Sequence, residues 1–189
     1  MKKIILASAS PRRRELLKKA GIHFVVELPD YDENISDKEF SYKLVEMTAE
    51  KKGYSIVQKV KSPAIIISAD TVVIHNDRIL GKPKNYENAY KMLKELNGQT
   101  HKVVTSVCII DTLSGKKLIE NGTSEVTFCK VSDEEIHRYI KKYKPFDKAG
   151  SYGIQELPEC FIKEIKGDYN NIVGLPVKML KKMIEKIQK

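Results

Sequence analysis

Apolar positions along this chain change period. Near-continuous apolar runs, "KIILAS", "AIIISADTVVIH" and "KVVTSVCIID", alternate with segments whose apolar residues recur every three to four positions. That alternation predicts an α/β sheet flanked by helices. "KIILAS" reads as a buried first strand. Ser10 and Pro11 supply an N-cap and first-turn pair, and Leu16, Leu17 and Ala20 form a stripe that ends at Gly21, predicting a helix over 11–20. Ser36 with Glu39 has capping-box spacing and predicts a second helix running to about Val60. Ala89, Met92, Leu93 and Leu96 share one helical face that stops at Asn97-Gly98. "KVVTSVCIID", "KKLIEN" and "TSEVTFCKV", separated by "TLSG" and "NGT", predict a three-stranded antiparallel meander. Ser132 with Glu135 caps a helix through Tyr143, and Pro176 opens a closing helix striped by Val177, Leu180, Ile184 and Ile187. The expected sheet is mixed. No repeat or linker interrupts residues 1–189, which are expected to form a single domain.

Charge narrows the partners. Lys and Arg number 34 against 25 Asp and Glu, a net charge of +9, which favours phosphate-bearing partners without separating nucleotides from nucleic acids. Lysines such as Lys18, Lys19, Lys181 and Lys182 fall on outer helix faces rather than in one patch, so no nucleic-acid partner is expected. Three widely spaced cysteines without a CxxC pair suit free thiols in a reducing cytoplasm. The opening residues carry no long apolar region, so no signal peptide is expected, and no run approaches the roughly 20 apolar residues that span a bilayer. No membrane partner is expected either.

Candidate chemistry begins where the first strand meets the first helix. A helix starting directly after a strand presents free N–H groups at the sheet edge, a ready anion site. Arg12 and Arg13 occupy its first turn, where cations oppose the helix dipole by about 0.3 to 1 kcal/mol each unless an anion binds. Arg13 shares the stripe of Leu16, Leu17 and Ala20, whereas Arg14 lies off it. Asp70 stands inside an apolar strand, where a carboxylate must be hydrogen-bonded, protonated, paired or metal-bound. Lys52 follows Val45 and Ala49 and precedes Ile56 at helical spacing, and Lys82 sits in a stiff turn between Gly81 and Pro83. Glu33 lies in an acidic loop.

Taken in order, "LASASPRRRELLKKAG", "DENI", "SADTVVI", "LGKP", "LNGQTHKVVTSVCI", "EVTFCKVSDEEIHRYI", "DKAGSYGIQ" and "GDYNNIVGLPV" resemble the motifs of the Maf family, over essentially the whole chain. The resemblance implies an elongated mixed α/β sheet flanked by helices, with two lobes around a cleft, similar to the inosine triphosphate pyrophosphatases, and a homodimer in many members. It implies hydrolysis of a nucleoside triphosphate to monophosphate and pyrophosphate with a divalent cation, Mg²⁺ or alternatively Mn²⁺ or Co²⁺. Asp70 matches the family's proton acceptor, and Ser8, Ser10, Arg12, Arg13, Glu33, Lys52 and Lys82 match its substrate-site motifs. Asp147, Lys148 and Tyr152 of "DKAGSYGIQ" join that set, and Glu33 with Asp70 are the candidate metal ligands. The same loop resembles the dTTP/UTP subgroup rather than the 7-methyl-GTP subgroup, with Arg12, Thr71 and Gln155 at positions linked to base choice. One residue departs from the pattern: Glu156 stands where the family usually has glycine. A charged side chain there is expected to reshape the base pocket. The rival reading from another class is a nucleic-acid-binding or division-regulating protein.

Overall fold

A computed structural model of the chain describes residues 2–31 and 35–188. Its elements are β1 (Lys3–Ala7), α1 (Pro11–Lys19), β2 (Val25–Glu27), α2 (Tyr42–Val57), β3 (Ala64–His75), β4 (Arg78–Leu80), α3 (Tyr86–Leu96), β5 (Thr100–Asp111), β6 (Lys117–Phe128), α4 (Asp133–Tyr143), β7 (Ile162–Lys166), α5 (Tyr169–Val173) and α6 (Val177–Ile187). The strands form one seven-stranded mixed sheet in the order β2-β1-β3-β5-β6-β7, with β4 added beside β3. β1 pairs in parallel with β2 and β3, and every other pairing is antiparallel.

β3 is buried at ten of its twelve positions because both of its faces are covered. Ile65, Ile67, Ala69 and Val73 pack among Leu17 of α1, Leu93 and Leu96 of α3, Ile136 and Ile140 of α4 and Leu180 of α6. Ile66 packs on the opposite face against Ala49 and Ile56 of α2, and Val72 and Ile74 pack there against Val45. Ser10 caps α1 by accepting from the Arg13 N–H, and Ser132 and Glu135 form the expected capping box on α4.

Two sequence expectations are corrected. Ser36 and Glu39 do not open α2, whose N-cap is Ser41. Residues 37–40 instead hydrogen-bond to the β4 hairpin, through Asp37 N–H to Ile79 O (2.9 Å), Ile79 N–H to Lys38 O (3.0 Å) and Phe40 N–H to Asp77 O (2.8 Å), so tertiary pairing overrides the local capping signal. "NGT" is not a turn either. β6 runs unbroken through Asn121, Gly122 and Thr123, paired to Ser106, Thr105 and Val104, and the meander is completed by β7. Gly122 is there for close approach: a Cβ on it would lie 2.6 Å from Asn171 Oδ1 and 3.1 Å from Pro176 Cγ.

Candidate active site

The sheet contains a notch. β1 ends at Ala7 opposite Ser68 of β3, and β4 joins β3 only from Val73 onward. Among the described residues, 69–72 therefore have a strand neighbour on the β5 side alone. A cavity of about 590 Å³ occupies the notch, within the range of small-molecule sites. Ser8, Ser10, Arg12, Arg13, Lys52, Asp70, Thr71, Lys82, Asp147, Lys148, Tyr152 and Gln155 all line it. Glu33 lies outside the described residues.

Strand alternation sends neighbouring side chains of β3 to opposite sides of the sheet. Asp70 points to the α2 side, where Lys52 Nζ donates to its Oδ1 at 2.7 Å; both side chains are 14% exposed. Of the four states open to a carboxylate in this strand, the structure shows pairing. Lys52 lies on the inward side of α2 beside Ala49 and Ile56, so the helix itself delivers the counter-charge that offsets desolvation of the carboxylate.

Thr71 points the other way, to Arg13. The guanidinium donates from Nε to Gly174 O at 2.8 Å, from Nη2 to Thr71 Oγ1 at 2.9 Å and from Nη1 to Ser8 Oγ at 3.4 Å. Thr71 Oγ1 also meets Thr105 Oγ1 at 2.9 Å, and Thr105 donates to Asn171 O. Burial pushes the Arg13 pKa down to about 10, against the attraction of Asp70, so it remains a cation at neutral pH. Arg13 thus has the inward position its helical phase predicts. Arg14 is not idle: its Nη2 donates to Ala9 O at 2.8 Å, bracing the turn between β1 and α1.

On the far wall, Arg12 Nη1 donates to Asp147 Oδ2 at 3.1 Å, and Lys148 Nζ donates to Asp147 Oδ1 at 2.8 Å. Desolvation opposes ionisation of Asp147, but the hydrogen bonds from Lys148 and Arg12 outweigh it and hold the carboxyl below its ordinary range. Gly150, at φ +64°, donates its N–H to Gly81 O at 3.0 Å and lies so close to Val73 that a Cβ would come within 3.0 Å of its side chain. This contact seats the loop 147–156 against β3. Tyr152 forms a buried 2.7 Å hydrogen bond with His101 Nε2. Burial raises the tyrosine pKa and drives the histidine pKa down to about 3, with the His75 charge adding to the latter. Gln155 is exposed at the cavity rim. Glu156 does not enter the cavity, contrary to expectation. It turns back onto Lys148.

Sequence reasoning missed Thr105, Asn171, Gly174 and His101. Gly174 carried the one local signal, a glycine before "LP" that adopts φ +125° and turns its carbonyl to Arg13.

Five cations line the cavity against two carboxylates among the described residues, and the first turn of α1 carries no acidic residue. Such a wall suits a polyanion. Among the described residues no three His, Cys, Asp or Glu side chains are grouped to hold a metal ion. No described helix is long and apolar enough to cross a membrane.

Comparison with known proteins is consistent across the chain. The family described as "Maf-like protein" matches residues 3–187. A Clostridium botulinum protein named dTTP/UTP pyrophosphatase is 46% identical over 184 residues, covering 97% of this chain and 98% of its own. An Alkaliphilus metalliredigens protein of the same name is 42% identical over 186 residues, covering 98% and 96%. The solved structures of the Staphylococcus aureus Ham1 protein and of a HAM1 protein from Coxiella burnetii share the fold. Each superposes with a TM-score of 0.53 at 15% identity over 98% of this chain, covering 99% and 100% of their own chains respectively.

Proposed function

Because the chain belongs to the Maf-like protein family, we propose that it hydrolyses nucleoside triphosphates, dTTP and UTP foremost, to the nucleoside monophosphate and pyrophosphate. The observation that carries this reading is the notch itself: one strand presents the Lys52-paired Asp70 on one side and the Arg13 platform on the other, within a single cavity.

Hydrolysis between the α and β phosphorus requires a water whose oxygen bonds to the α phosphorus while the bond to the pyrophosphate oxygen breaks. Asp70 accepts the proton of that water, and Lys52 steadies the carboxylate. Arg12, Arg13 and Lys82 neutralise the charge that moves onto the leaving pyrophosphate. Gln155 carries both a donor and an acceptor on one amide, which matches the adjacent carbonyl and N–H of uracil and thymine. Tyr152 and Lys148 complete the wall on the base side.

The donor set fits a divalent ion that arrives with the triphosphate rather than one held in a cage of side chains. Asp70 offers one carboxylate, one oxygen of which already bonds Lys52, and Mg²⁺ commonly binds through one or two carboxylates plus substrate phosphates. Glu33, or Asp70 where it does not serve as the proton acceptor, would hold the ion, which would supply charge neutralisation at the phosphates.

Pyrophosphate release from a nucleotide panel with Mg²⁺ tests the function. UTP and dTTP should exceed ATP and GTP in kcat/KM, and Gln155→Ala should narrow the gap, since an unpaired base edge costs about 1 to 3 kcal/mol. A purine or 7-methyl-GTP optimum would overturn the base assignment. Absence of turnover with every triphosphate would overturn the enzyme reading and leave the nucleic-acid-binding alternative.

A further inference from the structure

The loop 147–156 ends in a charge that the reaction does not use. Glu156 Oε2 is buried, has no hydrogen-bond partner and lies 3.2 Å from Lys148 Nζ. The Lys148 side chain is 8% exposed, and its ammonium also holds Asp147, which in turn accepts from Arg12. Arg12, Asp147, Lys148 and Glu156 therefore form a row of alternating charge, from the first turn of α1 to the back of the loop. Gly153 closes over the far end: a Cβ there would lie 2.9 Å from Lys148 Cε and 3.1 Å from Glu156 Oε2. Its carbonyl accepts the N–H groups of both Glu156 and Leu157, at 2.9 and 3.1 Å.

A desolvated carboxylate oxygen without a donor is tolerated only beside a counter-charge. Lys148 supplies it, and the dependence runs both ways. Asp147 is 59% exposed and shared with Arg12, so a triphosphate that draws Arg12 toward itself loosens the front contact of Lys148. Glu156, by contrast, is not among the residues that line the cavity, and its contact holds Lys148 from outside it. It limits the swing of a four-carbon side chain and leaves part of the ammonium's donor capacity for the cavity.

We propose that Glu156 is a positioning residue for nucleotide binding: it anchors Lys148 from behind, so that the ammonium stays on the cavity wall when substrate engages Arg12. The inference rests on the pyrophosphatase reading and names the residue that sets substrate affinity there. Asp70 is paired with Lys52 and is not a member of the row, so the effect falls on KM rather than on kcat.

The test compares Glu156→Gln, Lys148→Met and the double variant in two assays. With UTP, Glu156→Gln should raise KM about three- to tenfold, the scale of one partly exposed ion pair, with kcat within about twofold. The double variant should be no worse than Lys148→Met alone. In the nucleotide-free protein, amide hydrogen exchange across residues 148–157 should accelerate in all three variants relative to the wild type. An unchanged KM in Glu156→Gln, a fall in kcat alone, or additive effects in the double variant would overturn the proposal. Unchanged exchange would overturn the anchor whatever the activity. If the wild type turns over no triphosphate, the pyrophosphatase reading fails first, and the exchange data still decide whether Glu156 holds Lys148.

Discussion

Arg13→Ala removes a side chain that ties α1, β3 and the end of α5 together. Two of its contacts are short, to Gly174 O at 2.8 Å and Thr71 Oγ1 at 2.9 Å; the contact to Ser8 Oγ at 3.4 Å is weak. Hydrogen bonds from a charged donor are worth about 1.5 to 3 kcal/mol each. Thr71 keeps Thr105 as a partner, and the open cavity lets water reach the Gly174 carbonyl, so the expected loss of stability is nearer ~2 kcal/mol than the sum of both bonds. The loss in turnover is larger, because removing one preorganised donor to developing charge lowers rate on the order of 10²- to 10³-fold. Arg13→Lys restores a charge but offers a single donor centre, which cannot span Gly174 O and Thr71 Oγ1 together, and should recover no more than about tenfold. Arg14→Ala loses the brace on Ala9 O, a bond weakened by its exposure to solvent, with kcat/KM within about threefold and a stability loss of up to ~1 kcal/mol. The assay is kcat/KM for UTP beside urea unfolding for all three variants. Equal kinetic damage from Arg13→Ala and Arg14→Ala, or full activity in Arg13→Lys, would refute the argument.

Asp70→Asn, nearly isosteric, should keep the fold and lower kcat by about 10²- to 10⁴-fold; near-normal turnover in a folded variant, checked by circular dichroism, removes Asp70 from the centre of the reaction. Acid lability should trace to His101, whose buried ring is held neutral with a pKa of about 3 against about 6.5 in the unfolded chain. Between those values the unfolded state binds the extra proton, so stability is lost as pH falls below 6.5. At pH 4.5 the loss approaches an upper bound of ~2.7 kcal/mol, and urea midpoints at pH 7.5 and 4.5 should converge in His101→Asn relative to the wild type.

What the sequence made legible was local. Ser10-Pro11 before a three-four stripe, and Ser132 with Glu135, are signals carried by a few consecutive residues, and the helices they mark stand where expected. Asp70 and Lys52 were also legible, because a charge inside an apolar pattern demands a partner, and each supplies the other's. The failures share a cause. "SDKEF" and "NGT" carry the same kind of short-range signal, yet distant chain was available to pair with both: the β4 hairpin for residues 37–40 and β5 for residues 121–123. Asn171 could not be singled out, because its work is done 68 and 47 residues away, where its Nδ2 donates to Val103 O and Ser124 Oγ.

The notch explains why so many of these residues matter at once. A strand flanked on both sides would bury residues 69–72 under neighbouring backbone, and a strand free along its whole edge would invite pairing with another chain. Here β1 ends at Ala7 and β4 begins its pairing at Val73, which leaves four residues open on one side between two paired segments. Within that window the two-residue period of the strand separates two tasks, with Asp70 facing Lys52 on one side of the sheet and Thr71 facing Arg13 on the other. A one-residue shift of β3 would send each to the other side of the sheet, taking the carboxylate from the ammonium and the hydroxyl from the guanidinium. The register that prevents this is set on both flanks of the window, by five pairs with β1 and three with β4, and across it by β5. The apolar residues of β3 that keep this register are therefore also what holds the carboxylate and the guanidinium on their separate sides.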